Sequence, residues 1–294
     1  MFTTLVAVIA ALVLGHVAPT LLASLRDWRW FGRYLGWVRA QLGESAGRYA
    51  VLLAIAPCVV LMGLLQWALD GRLFGLPSLL FGIIVLALCW GPRDLDRDVE
   101  AVIDAEDAAA ATLAASKLQS AGGSLREDAP GLVEATVLNA LRRWFAPLFW
   151  FLLLGPLGVL LYRLLAQSSQ GAQSVLLSAE ERRAGDWLLA VLEWPVAQLM
   201  TLSMALVGNF DTVFSAWRRA AGNRWSLQLG FLAEAARASV GAELVEEAEE
   251  ARLAGQVPVD ERYPELRDAM SLVWRTLLLW MAVLALLVIA GWVG

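Results

Sequence analysis

Histidine occurs once and cysteine only twice in these 294 residues. His16 has no second imidazole with which to share a metal, and is read as a packed or interfacial side chain beside a kink at Pro19. Cys58 and Cys89 both lie inside apolar runs, without the histidine or acidic neighbours of a metal site, which excludes a disulfide framework and a zinc centre as organising principles. Charge is also scarce, at 17 % of residues with a net charge of −5. No lysine cluster or basic–aromatic pattern of the kind a phosphate backbone requires is present, so nucleic acid is excluded as a partner. A Gly-rich phosphate loop ending in Lys-Ser/Thr and a Ser-centred nucleophile elbow are missing, which removes the usual signatures of soluble enzymes. The paired internal repeats of a secondary transporter are not visible.

What the chain has is hydrophobicity in blocks. Apolar residues make up 59 % of it, and uncharged runs occupy 1–25, 49–69, 73–92, 144–162, 194–210 and 276–294. A helix crosses a bilayer with about 20 apolar residues, in a range of roughly 17–25. The pattern predicts an all-α fold: a polytopic membrane helical bundle of five to six transmembrane helices, forming one membrane domain over 1–294, with amphipathic cytoplasmic helices at 93–143 and 211–270. The run at 194–210 is the weakest span, because Pro195 and Gln198 interrupt it and Glu193 precedes it. Extension back to Trp187 makes it long enough, and a re-entrant segment is the alternative. The first run has no preceding Lys or Arg and no small-residue cleavage site, and reads as a retained span.

Arginines set the expected orientation. Arg26, Arg29, Arg33, Arg39 and Arg48 fall between the first two runs, the next connection holds Arg72 alone, and 93–143 is again basic-rich. Basic loops stay in the cytoplasm. Six crossings then place 26–48, 93–143 and 211–275 inside, both termini in the periplasm, and Gly71 and 168–173 outside. Arg163, Arg182 and Arg183 fall on the wrong side of this scheme. Most of the fourteen tryptophans, Trp28, Trp30, Trp37, Trp67, Trp90, Trp144, Trp187, Trp274 and Trp292 among them, sit near run ends, where an amphipathic ring is best accommodated.

The polar segments carry little chemistry of their own. Apolar Leu95, Val99, Val102, Ile103, Leu113 and Leu118 recur at helical spacing, with Gly122 and Gly123 as a stop. The acids interleaved with them lack the spacing of a calcium loop, so a solvated helix face is expected, with Asp94 and Asp98 the weak candidates for a metal. A second helix over 126–143 places Glu134, Leu138 and Arg142 at four-residue steps on one face. Pro147 then reads as the first turn of the fourth span, and Gly155-Pro156 as a kink or close helix contact within it. In 224–255 an amphipathic half precedes an acidic one containing Glu243, Glu246, Glu247, Glu249 and Glu250.

Glu134, Asn139, "APLFW" at 146–150, "GPLG" at 155–158 and Tyr162-Arg163 resemble the most specific run of the CobD/CbiB family. These are membrane synthases that join an aminopropanol phosphate to a cobalamin precursor. The resemblance covers most of 50–220, including "WPVAQLMTLSMAL", and is most specific over 134–163. Where the family carries a second glutamate and an aspartate, this chain has Leu138 and Arg142. A triply acidic face thereby becomes formally neutral, and an ATP-dependent ligase needs such acids to hold magnesium against phosphate charge. The same loss marks the AmpE branch, to which the chain is also similar. That branch implies an inner-membrane regulatory or sensory protein linked to β-lactamase induction, cell-wall signalling and antibiotic resistance, with no catalytic residues.

The resemblance implies a cytoplasm-facing site holding Glu134, Asn139, Arg142, Arg143, Pro147, Tyr162 and Arg163. Its ligand would be a phosphorylated, cobinamide-like or muropeptide molecule, and no cofactor is assigned. The competing reading is an active synthase using magnesium and nucleotide, with the acids of 94–107 as metal ligands. At the level of residues alone, Arg142 and Arg143 serve equally as lipid-headgroup anchors.

Overall fold

A computed structural model describes residues 6–8, 10–11, 28–42, 49–69, 76–90, 95–118, 128–221, 227–255 and 263–290. His16, Pro19, Gly71, Arg72, Asp94, Gly122, Gly123 and most of the first apolar run lie outside the described residues. Regular structure among the described residues is helical, with no strand. The elements are α1 (Arg29–Leu42), α2 (Ala50–Leu69), α3 (Leu76–Cys89), α4 (Leu95–Ile103), α5 (Ala108–Ala115), α6 (Ala129–Ala140), a π-turn (Leu141–Phe145), α7 (Ala146–Leu154), α8 (Pro156–Gln170), a 3₁₀ turn (Ala172–Leu176), α9 (Ala179–Val207), α10 (Phe210–Ala221), α11 (Gly230–Leu253) and α12 (Pro264–Ile289).

Four helical stretches among the described residues are long and apolar enough to cross a membrane: Ala50–Leu69, Ala129–Leu154, Ala179–Val207 and Pro264–Ile289. The shorter Leu76–Cys89 is also apolar. On α2, Leu52, Leu53, Val60, Leu61, Leu64 and Leu65 are exposed, and on α12 so are Leu278, Val283, Leu286 and Ile289. So large an apolar surface is untenable in water and expected against lipid.

The chain forms two compact units. One comprises Met1–Pro92, Ala146–Glu193 and Leu284–Gly294, the other Arg93–Phe145 and Trp194–Val283. In the first, α8 packs against α2, α3 and α7, and α1 packs against α2 and the 3₁₀ turn. In the second, α11 packs against α6 and α10, and α4 against α5 and α6.

Four sequence expectations are changed or decided here. The predicted single helix through 95–118 is two, because Asp107 starts α5 as its N-cap, its Oδ1 accepting from Ala110 N–H at 2.6 Å. Pro147, second in α7, does not open the span: the helix runs into it through the π-turn, and Ala129–Leu154 is helical throughout. Proline cannot donate to the carbonyl of Arg143, and the wide π-turn directly before it absorbs that defect. The doubtful run around Trp194 is interior to a single 29-residue helix with Pro195 inside it.

The fourth change is the largest. Residues 144–162 are not one kinked crossing, since the chain reverses at Gly155-Pro156, where Gly155 has φ 68°. A Cβ on Gly158 would lie 2.3 Å from the carbonyl oxygen of Trp150 and 2.7 Å from Leu154 Cβ. Eight residues of straight helix would separate positions 150 and 158 by about 12 Å. The two legs therefore fold back on each other as a tight α7–α8 hairpin.

Candidate functional site

In the second unit, the polar groups gather around the π-turn. Glu134, Leu138 and Arg142 share a face only while the helix keeps 3.6 residues per turn, and the π-turn at 141–145 breaks that register. It turns Arg143 inward. Arg143 is 9 % exposed, its Nη1 donates to Asp98 Oδ2 at 2.6 Å, and its Nη2 donates to the carbonyl of Lys117 at 3.3 Å. Arg143 is thus not a headgroup anchor, and Asp98 is not on a solvated face. Asn139, one turn back, donates through Nδ2 to the carbonyls of Leu118 at 2.7 Å and Ala135 at 2.8 Å. Between them, Asn139 and Arg143 satisfy the carbonyls of the turn that ends α5.

Glu134 pairs with Arg237 of α11 at 2.9 Å, and Arg237 also holds Glu234 at 2.6 Å. Trp144 packs on Trp274, ring centroids 5.1 Å apart, and Trp274 Nε1 donates to Asp96 at 2.8 Å. Phe145 meets Trp280 edge to face, and Trp280 Nε1 donates to Ser203 at 2.9 Å. On α12, Arg275 Nη2 donates to both oxygens of Glu243, at 2.6 and 2.7 Å. Among the described residues no group of three or more His, Cys, Asp or Glu is arranged to hold a metal. Asp94 is outside the described residues and Asp98 is engaged by Arg143.

Pro147, Tyr162 and Arg163 belong to the first unit. Pro147 is buried in α7, and Tyr162 and Arg163, 0 % and 5 % exposed, lie on the central α8. Tyr162 donates to Glu193 Oε1 at 3.2 Å, and Glu193 is itself 2 % exposed on α9. Trp150 Nε1 donates to the carbonyl of Leu192, one residue before it, at 3.2 Å. An acid held inside an apolar helix is costly and is kept where a partner is supplied. Glu193 is the residue that sequence reasoning noted only as preceding a doubtful run. The signal was its place inside an apolar stretch, but its partner Tyr162 is 31 residues away.

The α7–α8 reversal is braced from α2. Gln66 Nε2 donates to the carbonyl of Leu154 at 3.3 Å, and its Oε1 accepts from Leu157 N–H at 3.1 Å. One side chain thus caps the end of one helix and the start of the next. Beside it lies a cavity of about 580 Å³ lined by Gly63, Trp67, Ser78, Gly82 and Phe151 as well as Gln66.

At the other end of α8, Gln173 Nε2 donates to the carbonyl of Trp28 at 3.2 Å. Arg39 donates to the carbonyl of Leu176 and pairs with Glu181 at 3.0 Å. The segment 172–181 therefore lies along α1, whereas the sequence reading placed 168–173 and 26–48 on opposite sides of a membrane.

Long lipid-facing helices around buried, mutually paired polar side chains define a polytopic α-helical membrane protein. The chain belongs to the AmpE family: the family model described as regulatory signalling modulator protein AmpE matches residues 11–294. It is similar to Protein AmpE of Shigella flexneri, with 27 % identity over 259 residues that cover 84 % of this chain and 86 % of that one. No solved structure matches it.

Proposed function

We propose that the protein is an inner-membrane regulator that modulates β-lactamase induction in response to cell-wall state, with a synthase-like site that no longer ligates. On this reading it descends from the CobD/CbiB synthases, α1 faces the cytoplasm, and its ligand is a phosphorylated, cobinamide-like or muropeptide molecule. The supporting observation is the pairing of the two acids at the 134–143 segment, one its own and one from α4. Glu134 is engaged by Arg237, and Asp98 by Arg143. With Leu138 and Arg142 where the synthases carry acids, the face has arginine-locked carboxylates in place of a magnesium-binding set. Guanidinium groups at this face suit an anionic ligand better than a metal.

The test has two arms. In a strain lacking the cobalamin-branch synthase, the chain fails to restore cobalamin-dependent growth. Deleted from its own host, it shifts β-lactamase output after challenge with a β-lactam. Restored cobalamin synthesis would overturn the reading in favour of an active ligase. Unchanged β-lactamase output would remove the regulatory assignment.

A further inference from the structure

The α7–α8 reversal leaves main-chain groups of one kind over. On the α8 side the first-turn donors are used or missing. Pro156 has no N–H, Leu157 N–H goes to Gln66 Oε1, and the N–H groups of Gly158 and Val159 both reach the Gly155 carbonyl, at 3.1 and 3.3 Å. On the α7 side the carbonyl of Phe151 accepts from Gly155 N–H and that of Leu154 from Gln66 Nε2. Two acceptors remain. Four residues beyond Leu152 stands Pro156, which has nothing to donate, and four beyond Leu153 stands Leu157, whose N–H Gln66 has taken. No described residue donates to either carbonyl. Main-chain carbonyls at membrane depth are otherwise met by a donor.

Leu152 and Leu153 both line the cavity of about 580 Å³ between α2, α3 and the reversal, a volume that suits a small ligand group. None of the described residues lining it is charged. Its rim is apolar and aromatic, with Trp67 78 % exposed, Leu153 59 % and Leu154 41 %. Trp67 stands in the last turn of a helix of bilayer length, the depth at which indole rings sit and lipid headgroups begin. The face of that ring attracts an ammonium.

We propose that this cavity holds the primary ammonium of phosphatidylethanolamine, with the lipid's phosphate outside among the headgroups. One ammonium nitrogen carries three donors and serves the Leu152 and Leu153 carbonyls together, where a hydroxyl oxygen carries one. The trimethylammonium of phosphatidylcholine has no N–H to give. Phosphatidylglycerol offers hydroxyls but no cation for the Trp67 ring. The acyl chains lie along the exposed Leu61, Leu64 and Leu65 of α2, in the same turns as Gly63 and Gln66 of the cavity wall.

Full-length protein is equilibrated in detergent micelles with equal amounts of the three phospholipids, all with the same acyl chains, and bound lipid is read by native mass spectrometry. Phosphatidylethanolamine is expected to exceed phosphatidylcholine by about tenfold, because only its ammonium donates charged hydrogen bonds. Trp67→Leu, at an exposed position, should reduce the excess over phosphatidylglycerol by roughly threefold. Ser78→Phe, which puts a ring into the cavity, should bring the three lipids to parity at unchanged thermal unfolding temperature. Excess free ethanolamine should leave the bound lipid in place, and its displacement would overturn the lipid assignment in favour of a soluble amine. Equal binding of the three lipids by the wild type would overturn the proposal. So would a preference that survives Ser78→Phe, which would put the lipid elsewhere on the protein. Should Ser78→Phe fail to fold, Trp67→Leu decides alone, and an unchanged preference in it sinks the site.

Discussion

Arg143 Nη1 lies 2.6 Å from Asp98 Oδ2, a contact between α4 and the π-turn across 45 residues of sequence. Both side chains are about nine-tenths buried. Desolvating two charges is costly, and their attraction offsets that cost only while both are present. Arg143→Ala should therefore destabilise the protein by about 3–5 kcal/mol, because it leaves Asp98 buried and unpaired. Replacing both, as R143M with D98L, should recover most of the loss. Thermal unfolding in detergent across the double-mutant cycle checks this. Equal destabilisation by the double and single variants would show that packing, not charge, holds the site.

The α7–α8 reversal depends on two glycines for different reasons. Gly155 has positive φ, and a Cβ there would meet Gln66 Nε2 at 2.9 Å. Gln66 is a flexible side-chain end, so Gly155→Ala should cost mainly backbone strain, about 1–2 kcal/mol. Gly158 is pressed against backbone, with the Trp150 carbonyl oxygen 2.3 Å from its Cβ position. Gly158→Ala must therefore open the hairpin, and should lower the yield of folded protein far more than Gly155→Ala. Gly241→Ala, with nothing within 4 Å of its Cβ, is the control and should be silent. Size-exclusion profiles of the three variants would decide it.

The helical class and the spans around 50–69, 187–207 and 276–289 were legible because blocks of apolar residues at bilayer length need no partner to be recognised. The hairpin was less so. Gly155-Pro156 announced a break, but whether a kink or a full reversal follows depends on Gln66, 91 residues before the Leu157 amide it braces. Pairing was hidden for the same reason: Glu134 finds Arg237 103 residues away, and no local spacing names that partner. Arg143 shows the limit most directly. Its role turned on a π-turn, which α-helical periodicity does not anticipate, and which converts a surface arginine into a buried one.

Tyr162 and Glu193 tie the central helix of the first unit to α9 through one hydrogen bond of 3.2 Å. A buried polar group left without its partner costs about 1–3 kcal/mol. Tyr162→Phe should lower stability by an amount in that range, with little loss of packing, since only the hydroxyl is removed. Glu193→Leu in the same background should then cost less than Glu193→Leu alone, because the partner donor is already gone. Chemical denaturation monitored by circular dichroism reports both. Strict additivity of the two changes would show that the pair is not coupled.

The contact of α1 with 172–181 makes a topological statement that can be tested in intact cells. Arg39 reaches both the Leu176 carbonyl and Glu181, while Gln173 reaches Trp28, so the two segments touch at two well-separated points. A lipid core of about 30 Å cannot intervene between side chains in hydrogen-bond contact. Ala40 and Val175 are both exposed and therefore accessible to reagent. In protein lacking Cys58 and Cys89, single cysteines are introduced as Ala40→Cys and Val175→Cys, and cells are treated with a membrane-impermeant maleimide before and after permeabilisation. The two positions should behave alike. With the arginine-rich α1 on the cytoplasmic side, both should be protected in intact cells and react once the membrane is opened. Labelling of position 175 alone in intact cells would separate the two segments by a bilayer and refute the Arg39–Glu181 contact. Reaction at both positions in intact cells would keep the contact and reverse the orientation.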